Sequence, residues 1–389
     1  LFQSDDRFRP AQVTFEKDDA GWQIFYDAEQ VLALGQGYVM ARNEVCGICS
    51  TDLARRFLPY PLPQVIGHEL IVQHEGDRFA VEINASHRAR HVEALCPYCS
   101  EGLSTHCPQR LTLGIDRLPG GFAPYSLVPI GSLVPLPAWL PLSVASLLEP
   151  LAAALHGVNT SLKSDHRRVA VLGPRKLGLL LIAALSMVRQ NRNLDFSIDA
   201  IVRHEKPAWL ATALGADQSV EQSPALAYDL VFDTTGSPAG LLDALRISRS
   251  IVHLKSTHGQ AVDGVEGLTE FVVAEHRLCR TNGEESGPVI DHLSELVDLV
   301  QSDLRPRSTI RLRPGGDESA IARAIERGIV LESSRCGPFL PALQLLTAFP
   351  AVVTQLAEHF VTHRFPLARI EDAFALARSP QAIKVLIEC

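Results

Sequence analysis

The chain has 389 residues, of which 46% are hydrophobic and 21% are charged, and its formal net charge at pH 7 is −8. These values are typical of a globular enzyme with two domains, and the negative charge argues against a nucleic-acid partner. The sequence contains no run of about 18 apolar residues, so no membrane span is predicted. The first residues, LFQSDDRFRP, contain no apolar signal-peptide region, and the eight cysteines do not resemble a secreted disulfide framework. We therefore expect a cytoplasmic protein.

The first 150 residues are rich in glycine and proline and contain short β-like runs such as GYVMAR and APYSLVPI. Turn residues separate these runs. The pattern predicts a β-rich, partly irregular domain.

The residue pattern changes near residue 168, where strand-like and helix-like segments begin to alternate. RRVAVLG predicts a buried strand, and the apolar KLGLLLIAALSMVRQ predicts a helix directly after it. Further strands are predicted at DFSIDAIVRH, DLVFDTTG and SIVHLKS, and helices at ALAYD and PAGLLDALRIS. Alternation of this kind predicts βαβ units and a parallel sheet.

Residues from about 276 to 325 are polar and are interpreted as an insertion, with a helix predicted at VIDHLSELVDLVQ. After this segment, RGIVLESSRCGPF predicts a last strand and turn, and AIKVLIEC predicts a terminal strand. The insertion has three open interpretations: a cap on the active-site cleft, a subunit contact or a surface decoration.

The stretch EVCGICSTDL contains Cys46 and Cys49 and has three interpretations: a redox pair, half of a four-thiolate zinc site, or one metal ligand with a neighbour. A catalytic zinc takes about three protein ligands and keeps one position open. Cys49, His68 and Glu149 have the required chemistry. Glu69 would be a fourth ligand or would exchange with the bound water.

Several motifs follow one another in an order that resembles a known family. They are GICSTDL, IGHEL, EINA, CPYC, GLSTHCPQR, LGI, GGFA, LLEPLAAALH, TTGSP and LKSTHG. This order resembles that of the zinc-dependent medium-chain alcohol and polyol dehydrogenases, especially the threonine/sorbitol dehydrogenase-like branch. The resemblance covers residues from about 35 to 275 and from 327 to 389.

The resemblance implies a role for several residues near the first cysteine pair. Cys49 takes the position of the metal-ligand cysteine, and Cys46 is left as a small buried side chain. Thr51 takes the position of the proton-relay hydroxyl. Many family members carry a relay histidine where this chain has Ala54, so the proton route beyond Thr51 is open.

A second cysteine cluster has the spacing of the last three ligands of the family's structural zinc lobe: Cys96, Cys99 and Cys107. The family's first cysteine is replaced by Glu93, and the longer region before it also contains His87 and His91. We expect three thiolates and Glu93 to bind a structural zinc. The alternative is a lobe with free thiols.

The expected nucleotide site begins at the turn Gly173-Pro-Arg-Lys-Leu-Gly178, where Arg175 replaces the middle glycine of the G-x-G-x-x-G fingerprint. Either the loop shifts and Arg175 contacts phosphate, or the cofactor affinity is reduced. Thr234, Thr235 and Gly236 end the fourth predicted strand, where the family packs ribose and nicotinamide.

The end of the second predicted strand suggests which cofactor is preferred. An NAD-dependent enzyme places a carboxylate about where Val202 or Arg203 stands, whereas Arg203 with His204 and Lys206 suits a 2′-phosphate. We therefore expect NADP(H) in preference to NAD(H), against the alternative of a solvated charged turn. Arg335 is a further candidate to reach the pyrophosphate.

The resemblance implies an α/β protein with a GroES-like β-rich catalytic domain at 1–150 and 339–389. A Rossmann domain with a doubly wound parallel sheet would occupy 151–338. The implied activity is hydride transfer between NADP(H) or NAD(H) and a secondary alcohol, polyol or sugar, in a homodimer or homotetramer. Two alternatives stay open: a zinc-free reductase of enones or quinones, and a cofactor-binding scaffold without turnover.

Overall fold

The computed structural model describes residues 7–55, 58, 60–203, 205–255, 260–282 and 286–389, and only the backbone of Lys206. The chain divides into two units. The first holds residues up to Glu149 together with Phe339–Leu343 and Val353–Cys389, and the second holds Pro150–Pro338 and Gln344–Val352. The predicted boundaries assigned residues 344–352 to the first domain, whereas the structure groups them with the second unit. These residues surround a bend of 101° between the helical segments Phe339–Ala348 and Pro350–Phe360, whose outer ends belong to the first unit.

Twenty-one strands occur in the described residues. They are β1 Val13–Lys17, β2 Trp22–Tyr26, β3 Glu29–Leu34, β4 Tyr38–Gly47, β5 Glu69–His74, β6 Asp77–Val81, β7 Asn84–Ala85, β8 Leu111–Thr112, β9 Tyr125–Pro129, β10 Leu133–Pro135, β11 Arg168–Leu172, β12 Ser197–Ile201, β13 Gln218–Val220, β14 Tyr228–Asp233, β15 Ser248–Leu254, β16 Arg277–Arg280, β17 Val289–Ile290, β18 Thr309–Leu312, β19 Val330–Ser333, β20 Val361–Pro366 and β21 Lys384–Glu388.

Thirteen α-helices occur in the same residues. They are α1 Ser50–Leu53, α2 Pro97–Ser100, α3 Leu142–Ala145, α4 Leu148–Ser161, α5 Lys176–Asn191, α6 Glu205–Ala213, α7 Pro238–Ile247, α8 Leu268–Val273, α9 Leu296–Gln301, α10 Ala320–Glu326, α11 Phe339–Ala348, α12 Pro350–Gln355 and α13 Ile370–Ala377.

The first unit is built mainly on an antiparallel sheet, as the alternating β-like runs predicted. Its seven strands lie in the order β10-β6-β5-β4-β21-β20, and β9 also pairs with β4. The register of β4 and β5 sets Gly47 opposite Glu69. Because Cys49 follows β4 and His68 precedes β5, this register brings the two residues to the same edge of the sheet.

The second unit contains the predicted parallel sheet. Six parallel strands lie in the order β13-β12-β11-β14-β15-β19, which is the doubly wound order of a dinucleotide-binding domain. Helix α5 follows β11 and is buried without interruption from Gly178 to Val188. A helix that is covered on all sides needs the uniformly apolar sequence seen here.

The insertion extends this sheet. Strand β16 pairs with β19 in the antiparallel sense, and β18 and β17 follow outward in parallel. The core of the sheet also includes side chains of the insertion, among them Leu296, Ile310 and Ile321. The insertion is therefore part of the sheet and core of the second unit. This position does not select among a cap on the cleft, a subunit contact and a surface decoration.

Two predicted helices are wrong in part. The segment VIDHLSELVDLVQ starts with strand β17, and its helix α9 begins only at Leu296. The segment ALAYD is not helical, because Tyr228 starts strand β14 and its hydroxyl donates to the buried Asp199 at 2.9 Å. In both places a tertiary contact of an apolar or aromatic residue outweighs local helix propensity.

Among the described residues, no single helix has the length and apolar character needed to cross a membrane. One bent pair, Phe339–Ala348 with Pro350–Phe360, meets the length and composition criteria together.

Candidate functional site

Cys49 and His68 meet at the edge of the first unit's sheet. Cys49 caps the N-terminus of α1, and its backbone N–H donates to Asp52 Oδ2 at 2.8 Å. The other oxygen of that carboxylate, Oδ1, lies 3.2 Å from His68 Nδ1. Asp52 and His68 are both almost fully buried. Asp52 therefore connects the two residues and fixes the orientation of the imidazole ring.

The electrostatics of this group favour a thiolate. Burial acts to raise the pKa of the Cys49 thiol, but His68 and, to a smaller extent, Lys384 act to lower it, and the net shift is downward. Burial likewise acts to lower the pKa of His68, but Asp52 and Cys49 raise it well above its ordinary value. A cation bound between the sulfur and the imidazole would take the place of the imidazole proton.

Thr51 lies in the first turn of α1, with its Oγ1 3.7 Å from Cys49 Sγ. The predicted relay hydroxyl is thus next to the predicted metal-ligand sulfur. Thr51 is half-buried, which suits a group that passes a proton outward.

Glu69 is engaged by a residue that the sequence analysis missed. Its Oε2 forms a buried ion pair with Lys384 Nζ, and the same ammonium donates to the Ile48 carbonyl at 3.2 Å. Gly47 makes room for this pair, since a Cβ there would overlap Glu69 Oε2. A lysine inside the apolar run AIKVLIEC was the available signal, because a buried lysine requires a partner.

Glu149 is the second residue of α4 and is half-buried. Within the described residues, neither Glu149 nor Glu69 joins Cys49 and His68 in a group of ligand atoms close enough for one ion. The structure thus brings together two of the residues predicted to bind the catalytic zinc.

The second cysteine cluster is compact. Cys96, Cys99, Cys107 and His87 each offer a ligand atom, and these atoms all lie within 4.8 Å of one another. Cys96 Sγ lies 3.8 Å from Cys107 Sγ, and His87 Nδ1 lies 3.6 Å from Cys107 Sγ. Three sulfurs and one imidazole are an established ligand set for a closed, tetrahedral zinc site.

The fourth member of this cluster is His87, and the predicted ligand Glu93 is not among the grouped ligand atoms. Glu93 is exposed and follows turns between 86 and 92, in which Arg90 N–H donates to Ser86 O and Val92 N–H to His87 O. The second ring nitrogen of His87, Nε2, lies 2.6 Å from Gln109 Oε1. That contact makes Nε2 the donor and leaves the lone pair on Nδ1, which faces the thiols and accepts from Cys96 N–H at 3.4 Å.

Thiolate formation is favoured in part of the second cluster. Burial acts to raise the pKa of Cys99, but hydrogen bonds, led by the backbone N–H of Arg88, lower it to about 7. Burial raises the pKa of Cys107. Because ligand thiols must lose their protons, metal binding here should weaken as pH falls.

The glycine turn after β11 has the packing that a nucleotide-binding turn needs. Gly173 has φ of +70°, and a Cβ there would lie 2.6 Å from Thr235 Cγ2. A Cβ at Gly178 would lie 2.6 Å from Thr234 Oγ1. Both glycines therefore allow the end of β14 to pack against the turn. Arg175 has φ of −111°, so its backbone does not require glycine, and its side chain is exposed.

The other predicted cofactor residues lie at the carboxyl ends of the second unit's strands. Arg203 is exposed two residues after β12, and His204 lies outside the described residues. Arg335 follows β19, and its backbone N–H donates to Glu275 Oε1 at 2.7 Å. Asp233 Oδ1 accepts from Thr235 Oγ1 at 2.7 Å, which orients the end of β14.

Comparisons with known proteins agree with this arrangement. Residues 35–138 match the alcohol dehydrogenase GroES-like domain. L-threonine 3-dehydrogenase of Bacillus licheniformis is 25% identical over 390 aligned residues, covering 90% of both chains. D-altritol 5-dehydrogenase of Agrobacterium fabrum is 29% identical, covering 53% of this chain and 64% of its own.

A solved zinc-binding dehydrogenase of Sinorhizobium meliloti 1021, bound to NADP, has a TM-score of 0.63 at 19% identity. The alignment covers 97% of this chain and 99% of that protein. The chain contains an alcohol dehydrogenase GroES-like domain at residues 35–138 and is similar along its length to L-threonine 3-dehydrogenase. It combines a GroES-like and a Rossmann domain, and its similarity to named dehydrogenases supports an oxidoreductase acting on alcohols.

The residues of this chain fit a zinc ion and a dinucleotide, the groups that the resemblance to zinc-dependent dehydrogenases implies. A thiolate and an imidazole held by a carboxylate are the donors that zinc prefers, and Cys49, His68 and Asp52 supply them. Gly173 and Gly178 leave the clearance that a dinucleotide turn requires.

Proposed function

We propose that this chain is a zinc-dependent dehydrogenase that transfers a hydride between NADP(H) and a secondary alcohol of a polyol or sugar. The contact between the half-buried Cys49 and the buried His68, which Asp52 orients, is the observation that carries the proposal. The dehydrogenases of L-threonine and D-altritol among its relatives support a substrate with a secondary alcohol. The proposal includes a cytoplasmic location and a homodimer or homotetramer.

Each residue of the site has a stated role. Cys49, His68 and Glu149 would hold the catalytic zinc, with Asp52 orienting His68. Bound zinc supplies a Lewis acid that polarises the carbonyl or lowers the pKa of the alcohol. Thr51, 3.7 Å from Cys49 Sγ, would carry the alcohol proton away from the site. Lys384 holds Glu69 by a buried ion pair, which favours an open coordination position over a fourth protein ligand.

A second zinc would be structural. His87, Cys96, Cys99 and Cys107 have the chemistry and spacing of a closed site. Such a site stabilises its lobe and has no open position for substrate.

The cofactor would lie along the carboxyl ends of the second unit's parallel strands, with its pyrophosphate at Gly173–Gly178. Arg175 is exposed on this turn and would contact a phosphate. Arg203 would bind the 2′-phosphate that distinguishes NADP(H) from NAD(H), and Thr235 and Arg335 would line the remainder of the site.

Metal analysis and an activity screen test the proposal. Chain purified with zinc is assayed with NADP⁺ and NAD⁺ over a panel of polyols, sugars and secondary alcohols, before and after zinc removal by a chelator. We expect zinc-dependent reduction of NADP⁺. Zinc-free chain that reduces an enone or quinone would support the alternative reductase, and cofactor binding without any turnover would support the scaffold.

Arg203→Ala is expected to weaken NADPH binding roughly tenfold or more, since a charged hydrogen bond contributes about 1.5–3 kcal/mol. NADH binding should change less than about twofold, because NADH lacks the phosphate. Fluorescence titration with both cofactors measures this. Arg246→Ala, which removes another exposed arginine paired with Asp243, is the control, and equal losses for both cofactors would contradict the assignment.

A further inference from the structure

A chain of buried polar side chains crosses the second unit's sheet next to the expected cofactor site. Lys255 Nζ donates to Ser334 Oγ at 2.8 Å, and Ser334 Oγ lies 2.9 Å from His253 Nε2. His253 Nδ1 lies 2.6 Å from Ser161 Oγ, which donates to Glu332 Oε2. Each of these five side chains is at least nine-tenths buried.

The direction of every hydrogen bond in this chain follows from its two ends. The Glu332 carboxylate only accepts, so Ser161 donates to it and accepts from His253 Nδ1. Burial lowers the pKa of His253 well below its ordinary value, so the ring is neutral and its Nε2 accepts from the Ser334 hydroxyl. Ser334 Oγ then accepts from the Lys255 ammonium. The chain is thus satisfied in one arrangement only.

The ammonium of Lys255 also anchors the backbone that follows β19. It donates to Ser334 O at 3.0 Å and to Arg335 O at 2.9 Å. With Ser334 Oγ, these acceptors match the three N–H donors of an ammonium group. They hold the head of the side chain in a fixed position.

That position is at the carboxyl ends of three adjacent strands. Lys255 directly follows β15, its backbone N–H donates to Asp233 O at 3.0 Å at the end of β14, and its ammonium reaches the residues after β19. In a doubly wound sheet, the first three strands bind one mononucleotide half of the cofactor and the last three bind the other. The glycine turn and Arg203 belong to the first half, so β14, β15 and β19 form the nicotinamide half.

We propose that Lys255 is a specificity-determining residue that makes this site prefer the reduced cofactor over the oxidised cofactor. The nicotinamide ring carries a positive charge in NAD(P)⁺ and none in NAD(P)H, so a fixed cation nearby repels only the oxidised form. The inference rests on the proposed function, because it requires the nicotinamide to bind at these strand ends.

The size of the effect follows from Coulomb's law. Two unit charges several ångströms apart at a partly buried site interact strongly enough to change a binding ratio on the order of tenfold. Glu275 and Glu332 also lie in this region, where Glu275 contacts Arg307 and Glu332 contacts Arg277. Replacing Lys255 by a neutral residue removes one positive charge from the site whatever these carboxylates contribute.

Direct titration of the full-length, zinc-loaded chain tests the inference. Dissociation constants for NADPH, NADP⁺, NADH and NAD⁺ are measured for the wild type, Lys255→Met and Lys255→Arg. We expect the wild type to bind the reduced form at least about tenfold more tightly than the oxidised form. Lys255→Met should reduce this ratio on the order of tenfold, and Lys255→Arg should keep it.

Ser334→Ala distinguishes the effect of charge from that of packing. It removes the hydroxyl of the polar chain but leaves the lysine charge, so the ratio of the two dissociation constants should stay within about twofold. Equal affinities of the wild type for the reduced and the oxidised cofactor would overturn the inference. This measurement does not depend on whether the variants fold. An unchanged ratio in a folded Lys255→Met variant would overturn it as well. A wild type that bound none of the four cofactors would instead contradict the proposed function.

Discussion

Replacing Cys49 by alanine is expected to lower turnover by at least about a thousandfold while the chain stays folded. The thiol is the sulfur donor that His68 and Asp52 are arranged around, and a metal ion contributes several kcal/mol of transition-state stabilisation. About 4 kcal/mol corresponds to a thousandfold change in rate. Steady-state kinetics with the best substrate of the screen, together with circular dichroism, measures the two parts of the prediction.

Cys46→Ala is the matched control, because Cys46 lies three residues before Cys49 and its buried thiol has no assigned role. Its sulfur packs against Gly67 and Gly121 rather than against His68. We expect turnover close to that of the wild type and a loss of stability of about 1 kcal/mol from the lost packing. Full activity in Cys49→Ala, or an equal loss in Cys46→Ala, would show that the metal is held elsewhere.

His87→Ala is expected to weaken zinc binding at the second cluster at least about a hundredfold. Loss of an outer partner of a metal ligand already costs 10–100-fold, and His87 is the fourth ligand of the proposed site. At zinc concentrations above the dissociation constant, a hundredfold loss lowers the stability of the folded chain by about 2.7 kcal/mol. Competition with a chromogenic chelator gives the affinity, and thermal unfolding with and without zinc gives the stability.

Glu93→Ala is the control that separates the two candidate ligands. Glu93 is exposed and lies outside the cluster, so zinc affinity and the unfolding midpoint should not change. A loss of zinc binding in Glu93→Ala with none in His87→Ala would restore the ligand set expected from sequence spacing. Unchanged zinc binding in both variants would show that neither residue is a required ligand, and a wild-type lobe that bound no zinc would favour free thiols.

The pairing of Glu69 with Lys384 shows why a motif does not fix the role of each of its residues. Glu69 is next to His68 in the chain, and sequence proximity made it a candidate ligand. Lys384 belongs to the terminal strand, and only the pairing of β21 with β4 brings its ammonium to the carboxylate. A buried carboxylate requires a positively charged partner, and in this fold Lys384 is the partner of Glu69.

The same contrast holds for the two metal clusters. Cys96, Cys99 and Cys107 lie in one short stretch, so their spacing was enough to predict that they converge. The fourth position depended on the turns between 86 and 92, which the sequence analysis did not predict. Cys49 and His68 were recognised from their chemistry and motifs, whereas the contact through Asp52 required the register of β4 and β5.

The sequence by itself determined the β-rich first unit, the parallel sheet of the second, the glycine turn and the resemblance to dehydrogenases, because these depend on residue periodicity and short motifs. The tertiary structure alone decided that His87 lies with the three cysteines, that Lys384 pairs with Glu69, that the insertion extends the sheet, and that Lys255 lies at the strand ends. Each of these outcomes depends on contacts between residues far apart in the chain, and sheet pairing, turn geometry and burial determine those contacts.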